Sequence, residues 1–428
     1  MLVVQQLFVL VLSQMKEVTK MNNLYYDVVV IGGGPAGMQA GLKIKENGLV
    51  PLIIEREEQL GGILKQCIHS GFGLHYFGEE MTGTEYAHIF VEKVKKAKID
   101  CMCSSFVQSI QTGKVVVKNI DGIFVVNCKA IILAVGCIER TAGAIALTGE
   151  RPSGVWTAGQ VQKWVNIYGK LPCKNPIILG SGDIGLIMAR RLTLEGAKPQ
   201  MVLEVQKTTS GLVRNINQCL NDYGIPLYLS TTVVEVLGYP KITGVVIAQV
   251  DDNMVPIEST RKEVKCDGLV LSVGLFPDTK ILNNAKINPK TNSFYVNEYR
   301  ETSVKGVFAC GNVLHVHDLV DYVTEEASLV GDFASKYAKG ELKKTTEHTL
   351  IAGNGIRYTM PNTYYEGSGK INCLFRVVKK ITKCNVVAVC NGKTIFKKFY
   401  LSVNAGQMES ISICKDDCKN DIEIKVEE

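Results

Sequence analysis

The sequence predicts an α/β chain in which one strand–glycine turn–helix–strand unit occurs twice and a small all-β segment closes the chain. Three observations carry this. The strand formers Asp27–Ile31 run straight into Gly32-Gly-Gly34-Pro-Ala-Gly37, then into a helical pattern from Met38 to Asn47 and a second apolar run, Leu49–Ile54, ending at Glu55. The same order returns in Pro176–Leu179, Gly180-Ser-Gly182-Asp-Ile-Gly185, a helical pattern over Leu186–Glu195 and the run Gln200–Leu203, ending at Glu204. From about Gly355 the pattern switches to period two, in five short runs separated by Asn-Gly, Ala-Gly and charged breaks.

Composition bounds the classes of function. A chain of 428 residues accommodates two to four domains. With 46% apolar and 21% charged residues it is an ordinary globular sequence, which excludes a disordered tail, a collagen-like fibre and a disulfide miniprotein. A net charge of +6 spread over this length, with no basic–aromatic stripe, argues against nucleic-acid binding. No apolar run reaches the roughly 18 residues that an integral membrane span needs. The 14 cysteines are scattered without any CxxC, and Cys101-x-Cys103 and Cys414-x-x-x-Cys418 lack further ligands. They read as free thiols in a reducing cytoplasm, and no metal site is assigned. Residues 1–22 read as an extension, because the apolar stretch Leu2–Leu12 has no basic residue before it, while Lys16 and Lys20 follow it. An upstream start codon, with Met15 or Met21 as the true start, is the expectation; a membrane-surface or organelle-targeting segment is the alternative.

Each part of the first unit has a physical task. Gly32 permits a tight turn, Gly34 lets the backbone approach a pyrophosphate, and Gly37 lets the helix close on the strand. Pro35 and Ala36 complete the motif as candidate cofactor-binding residues, and the N-terminus of the helix that follows offers free N–H groups and a positive dipole end to phosphates. Glu55, about 20 residues on, can accept both ribose hydroxyls, and Gly61-Gly62 suits a loop wrapping the adenosine side of a flavin nucleotide. In the second unit Gly180, Gly182 and Gly185 repeat these roles. Glu204 would hold a free 2′-hydroxyl and repel a 2′-phosphate, which favours NAD over NADP. The alternative is a second Rossmann-like domain whose site is unused or takes another adenine nucleotide.

On these residues the sequence resembles the pyridine nucleotide-disulfide oxidoreductase superfamily, flavoproteins with two dinucleotide-binding domains. The resemblance implies two Rossmann-like domains, FAD on the N-terminal fingerprint and NAD(H) on the second. It divides the chain into an FAD domain in two parts (23–145 and 284–343), an NAD(P)-binding-like domain (146–283) and a C-terminal β domain (350–428). Ala130–Gly136 and Gly268–Gly274 match the glycine exits of the two domains, and Thr302–Asn312 resembles the second FAD signature. There Gly311 and Asn312 stand where that signature has Gly-Asp, followed by Leu314-His-Val-His-Asp-Leu and a helix over about Asp321–Tyr337. The redox CxxxxC of disulfide reductases is missing, since Gly61–Gly73 holds Cys67 alone, and the CxxC of thioredoxin reductases is missing too.

The wording of Gly61–Gly73, Gly136–Arg140, Gly149–Gly159, Gly180–Glu195 and Cys310–Asp318 is similar to a narrower group. These are FAD-binding subunits of heteromeric dehydrogenases acting on proline, opines, glycine (cyanide formation) and glycerol 3-phosphate-type substrates. The resemblance implies an FAD-dependent oxidoreductase that passes electrons between NAD(H) and a partner dehydrogenase subunit or a small molecule, in an oligomer. Two alternatives stand: an FAD or electron-transfer subunit that does not turn over NAD, and a stand-alone NADH oxidase using Cys67. Cys67, His69 and His317 are the candidate catalytic residues; Lys65, His315 and Glu325 are further side chains expected near the flavin, and Arg140 a candidate anion binder.

Overall fold

The computed structural model describes residues 22–416 and 418–427. The extension expected over 1–22 lies outside them, except for Asn22, which opens the first strand (Asn22–Tyr25). Six α-helices order the description: α1 (Pro35–Glu46), α2 (Gly83–Lys96), α3 (Ala158–Asn166), α4 (Asp183–Leu194), α5 (Val213–Cys219) and α6 (Val320–Lys339). The chain divides into two compact units. One takes the residues up to 65, 69–137 and those from 277 on; the other takes 66–68 and 138–276.

In the first unit Val28–Ile31 lies at the centre of a five-stranded sheet. Its neighbours are Pro51–Ile54 and then Asp100–Met102 on one side, Ala130–Leu133 and then Val307–Ala309 on the other, all parallel. The chain reverses its direction of travel across the sheet at Val28–Ile31, so a crevice opens where this strand ends, at Gly32. Both faces are covered, as a parallel sheet requires. Val28 and Val30 point to one side, onto Met38, Ala40 and Ile44 of α1, Tyr86 and Phe90 of α2 and Ala327, Val330 and Ala334 of α6. Val29 and Ile31 point to the other, onto Val115, Val117 and Val126 of an antiparallel meander and onto Phe294, Leu314 and Met360.

Both helices that open the fingerprints start earlier than the apolar pattern indicates. Gly34 and Gly182, in extended conformation, are the N-caps, so the first helical turn lies inside the glycine motif itself. A pattern-based start at Met38 or Leu186 misses this turn because it holds no periodic apolar residue.

The all-β tail contains eight strands rather than five. Thr363–Tyr365, Glu347–Ala352, Ile422–Glu427, Ile381–Cys390 and Lys393–Val403 form one sheet, and Ile356–Met360, Lys370–Val377 and Glu409–Cys414 a second. The two share one core that includes Val386, Ile422 and Ile424 from the first and Cys373, Phe375 and Ile413 from the second. The tail is not wholly antiparallel, because Glu347–Ala352 pairs parallel with Ile422–Glu427, joining its first strand to its last. Asn391 (φ 51°) and Gly392 (φ 74°) make the hairpin turn expected of Asn-Gly. The tail belongs to the first compact unit and is fastened there by the buried pair Lys415–Glu298, at 2.6 Å, and by Asn362, whose N–H donates to the Val296 carbonyl and whose Oδ1 accepts the Val296 N–H.

The second unit repeats the plan. Pro176–Leu179 is central, with Met201–Leu203 and Leu227–Tyr228 on one side and Gly268–Leu271 and Val155–Thr157 on the other, all parallel.

The contact between α1 and α6 depends on Gly331. A Cβ there would lie 2.9 Å from the Ala40 carbonyl oxygen and 2.8 Å from the Lys43 Cβ. Gly331→Val is therefore expected to push the helices apart and to destabilise the unit by about 1–3 kcal/mol. A fall in the urea midpoint, followed by far-UV circular dichroism, measures this, and an unchanged midpoint refutes the packing account.

Candidate functional site

The first glycine loop is held by steric necessity. Gly32 has φ +106°, and a Cβ on it would sit 2.4 Å from the Ala134 carbonyl oxygen. A Cβ on Gly37 would sit 1.8 Å from the carbonyl oxygen of Gly32. Gly34 differs, since its Cβ direction meets only the Gly62 Cα, at 3.9 Å. This open Cα stands at the N-terminus of α1, which begins with Pro35 and Ala36, has no side-chain cap and carries no acid in its first turn. Such an end suits an anion.

Glu55 is buried at the end of its strand. One carboxylate oxygen accepts the Gly33 N–H at 2.6 Å and the other accepts the Glu57 N–H at 2.8 Å. The sequence reading gave Gly33 no role; its donated N–H and the Leu60 and Glu55 side chains crowding its Cα make it part of the loop. The Gly61 N–H donates to the Gly33 carbonyl at 2.9 Å, and a Cβ on Gly62 would lie 2.9 Å from the Gly34 Cα. The two glycine segments thus close on one another. Gly136 (φ +77°) accepts a hydrogen bond from the Asp278 N–H at 3.1 Å, where the first strand system ends.

The second signature residues join the same unit. Gly311 (φ +73°) packs under α1, with the Ala36 Cβ 3.0 Å from where its own would be. The Asn312 Oδ1 accepts the His317 N–H at 3.1 Å, which leaves the amide N–H groups as the end able to donate to a hydroxyl. The residues present therefore fit a dinucleotide carrying a ribityl chain: an uncapped helix start, a buried acid at the ribose position and a glycine turn beneath them.

The helix that follows turns Glu325 out to solvent and Glu326 inward. Glu326, 5% exposed, accepts the Gly311 N–H at 2.9 Å and the Arg300 Nε–H at 3.3 Å. His315 and His317 lie against it, with ring centroids 4.1 Å apart. Burial pushes both imidazoles below their usual proton affinity; for His315 the neighbouring His317, Arg300 and Arg376 push the same way, whereas Glu326 opposes the shift for His317. No metal was assigned from sequence, yet these three side chains place one ligand atom each within 4.8 Å of one another.

In the second unit the fingerprint has the same build. A Cβ on Gly180 (φ +103°) would lie 2.1 Å from the Ser272 carbonyl oxygen, and one on Gly185 would lie 2.7 Å from that of Gly180. Gly182 faces the Ser272 and Ser210 hydroxyls at 3.6 and 3.8 Å from its Cβ position. Glu204 accepts the Ser181 N–H at 3.0 Å and hydroxyl at 2.5 Å through one oxygen, and the Gln206 N–H at 2.9 Å through the other. Arg140 donates its N–H to the Gly274 carbonyl at 3.0 Å and stacks its guanidinium on Phe276 at 4.3 Å.

The candidate catalytic residues fall in different units. Cys67 belongs to a three-residue piece of the second unit. Its neighbour Gln66 donates to the Gly159 carbonyl and the Gln162 Oε1, both at 2.9 Å, and accepts from Asn166 at 2.7 Å. Burial pushes the Cys67 thiol up to about 12, against a weak contact with Gln162 at 3.9 Å. His69 belongs to the first unit, half-buried, with Nδ1 2.9 Å from the Ser70 carbonyl oxygen and its ring 5.1 Å from Phe72. His317 is interior. Sequence reasoning also missed the aromatic loop Phe72–Phe77, whose His75 stacks on Tyr322 near the start of α6. The repeated aromatic and glycine residues were its only signal.

Comparison with known proteins agrees with this geometry. The family profile for pyridine nucleotide-disulphide oxidoreductases matches residues 26–329. The chain is 26% identical over 328 residues to a thioredoxin reductase of Listeria monocytogenes, covering 75% of this chain and 96% of that protein. It is 21% identical over 377 residues to an opine oxidase subunit of Agrobacterium tumefaciens, covering 82% and 73% respectively. Its fold matches the crystal structure of T. acidophilum thioredoxin reductase with TM-score 0.60 and 22% identity, over 74% of this chain and 99% of that one. With a profile match over well more than half of its length and both fingerprints in place, the chain belongs to the pyridine nucleotide-disulphide oxidoreductase family and is an FAD-dependent oxidoreductase, of a family that uses NAD(P)H.

Proposed function

We propose that the chain takes FAD on the first fingerprint and NAD(H) on the second, and passes electrons between NAD(H) and a partner dehydrogenase subunit or a small-molecule substrate. One observation carries the reading: Glu204 is buried and bonded to its loop as Glu55 is to its own, although the two stretches differ in sequence. A glycine loop kept to this pattern in both units supports two working nucleotide sites. The domain division that follows is 23–145 with 284–343 for FAD and 146–283 for NAD.

The chain's own residues then divide the work. The N-terminus of α1 and the open Gly34 Cα would hold the FAD pyrophosphate, with Glu55 on the adenosine ribose and Asn312 on the ribityl chain. The flavin, when bound, supplies the hydride and electron chemistry. Gly182 and the start of α4 would hold the NAD pyrophosphate, and Glu204 would accept its ribose hydroxyls. Cys67 takes no electron-carrying role here, because a thiol that deprotonates near 12 is neutral at working pH and the stretch Gly61–Gly73 holds no second cysteine at redox spacing. Free thiols, Cys101 and Cys414 exposed among them, support a reducing, cytoplasmic setting. Among the described residues no helix is long and apolar enough to cross a membrane.

A second reading, an FAD subunit that does not turn over NAD, is favoured by one feature. Residues 210–212 lie over the second loop, with the Leu212 N–H and the Asn215 amide both on Asp183 in the first turn of α4, at 2.8 and 2.7 Å. An anion approaching α4 therefore meets a carboxylate that α1 does not present.

Anaerobic titration of the flavin-loaded chain separates the two. NADH is expected to bleach the visible flavin band near stoichiometrically, with NADPH at least about tenfold weaker. Glu204→Ala is expected to narrow that preference. A band that neither nucleotide bleaches would select the second reading.

Cys67→Ser is expected to retain at least half of the NADH-linked turnover. The thiol's proton affinity is raised, so the neutral form holds below about pH 11 and the thiolate appears only above. Alkylation of Cys67 should therefore rise steadily from pH 6 to 9 without a plateau. Loss of turnover in the serine variant, or a plateau near pH 7, would restore the cysteine-dependent oxidase.

A further inference from the structure

We infer that His315, His317 and Glu326 form a binding site for one divalent first-row transition cation, with zinc as the best-matched occupant. The inference does not depend on the nucleotide reading. His315 and His317 flank Val316 in the irregular segment between the Gly311 turn and α6, their ring centroids lie 4.1 Å apart, and Glu326 meets them from the second turn of α6. Their side chains are 2%, 1% and 5% exposed.

The histidines are the second, independent observation. By bond geometry none of their four ring nitrogens has a partner, although the His315 backbone lies near enough to His317 to favour its proton. A neutral imidazole carries one N–H and one lone pair, and burying both without partners is costly. The His317 Nε2 lies 3.4 Å from one Glu326 oxygen, and the His315 Nε2 lies 4.0 Å from the other. Zinc bonds of about 2.0–2.1 Å to nitrogen and oxygen would bridge such gaps with small side-chain adjustments.

The carboxylate is oriented as a ligating carboxylate would be. The Gly311 N–H holds one oxygen and Arg300 the other, and Arg300 is itself fixed by the Asn372 carbonyl at 3.2 Å. The positive charge of Arg300 weighs against hard cations held by oxygen alone. Two imidazoles and one carboxylate instead select an ion that bonds strongly to nitrogen, zinc or ferrous iron rather than magnesium or calcium. The bound ion would clip the segment after the Gly311–Asn312 turn to α6 and so hold the start of that helix in place.

The test uses the full, flavin-loaded chain, stripped with a chelator and titrated with zinc chloride alone. One equivalent per chain is expected. In His315→Gln and His317→Gln the affinity should fall by at least about tenfold, while Cys101→Ser and Cys414→Ser leave it unchanged. Substoichiometric uptake, or uptake undiminished in both histidine variants, would overturn the site in favour of buried water between the rings. Zinc X-ray absorption on the unmodified protein decides even where the variants fail to fold. Imidazole scattering with a nitrogen and oxygen shell at about 2.0–2.1 Å supports the site, and sulfur at about 2.3 Å overturns it.

Discussion

The carbonyl oxygen of Gly32 points at the Cα of Gly37, and the Cα of Gly32 rests on the Ala134 carbonyl; there is no room for a side chain at either place. This double contact lets a strand turn into a helix within a few residues and brings α1 down onto the sheet edge where the strand order reverses. The rest of the first unit is arranged around it. The α1 axis set by Gly37 determines where Gly331 of α6 can lie against Ala40 and Lys43. The end of α1 in turn fixes the shelf under which Gly311 passes. The second unit has the same contact between Gly180, Gly185 and Ser272. Two loops of different sequence converge on one backbone path because sterics allow little else.

Buried carboxylates are the second ordering device. Glu55, Glu204 and Glu326 are each at most 6% exposed, and each accepts a backbone N–H of the glycine turn it supports, Glu326 taking the Arg300 guanidinium on its other oxygen. An ionised carboxylate so placed is tolerable because its hydrogen bonds are charge-assisted. It also leaves lone pairs over, so that Glu55 and Glu204 keep spare acceptor capacity beside their glycine loops. Glu326 differs in facing two imidazoles that have no other partner, and this sets it apart from a simple structural acid.

What could be read from the sequence follows the physics. The fingerprints were legible because their glycines answer local steric demands that no other residue meets. The sheet interiors were legible because strands buried on both faces are continuously apolar. The tail was half legible: runs with clean alternation were found, whereas Glu347–Ala352, Ile356–Met360 and Thr363–Tyr365 were not. Glu347–Ala352 pairs with Ile422–Glu427 and Thr363 with Asn297, partners remote in sequence, while Ile356–Met360 joins the nearby Lys370–Val377. Within the site, the helical phase of α6 decides between Glu325 and Glu326, and only packing fixes that phase. Gly33 was hidden between two glycines with evident roles. The burial of Cys67 was hidden because Gln66, Gln162 and Asn166 that clamp its segment are about 100 residues apart.

The two units differ in one strand, and the difference accounts for their different capacities. Val307–Ala309 and Val155–Thr157 occupy the same outer position in their sheets, beside Ala130–Leu133 and Gly268–Leu271. The first of them leads through Gly311 and Asn312 into α6, whose start has no side-chain hydrogen-bond cap. The second leads into α3, whose start is closed by a Thr157–Gln160 capping box and by the Glu139 carboxylate on the Gly159 N–H at 2.7 Å. Of the helix starts α1, α3, α4 and α6, only α1 is both uncapped and free of acids: α6 and α4 carry Asp321 and Asp183 in their first turns, and α3 is closed by its own capping box and by Glu139. A pyrophosphate therefore meets its least opposed helix start at α1. The two fingerprints, whose glycines are nearly identical, thus differ physically in the acid that the helix start of the second carries and that of the first does not.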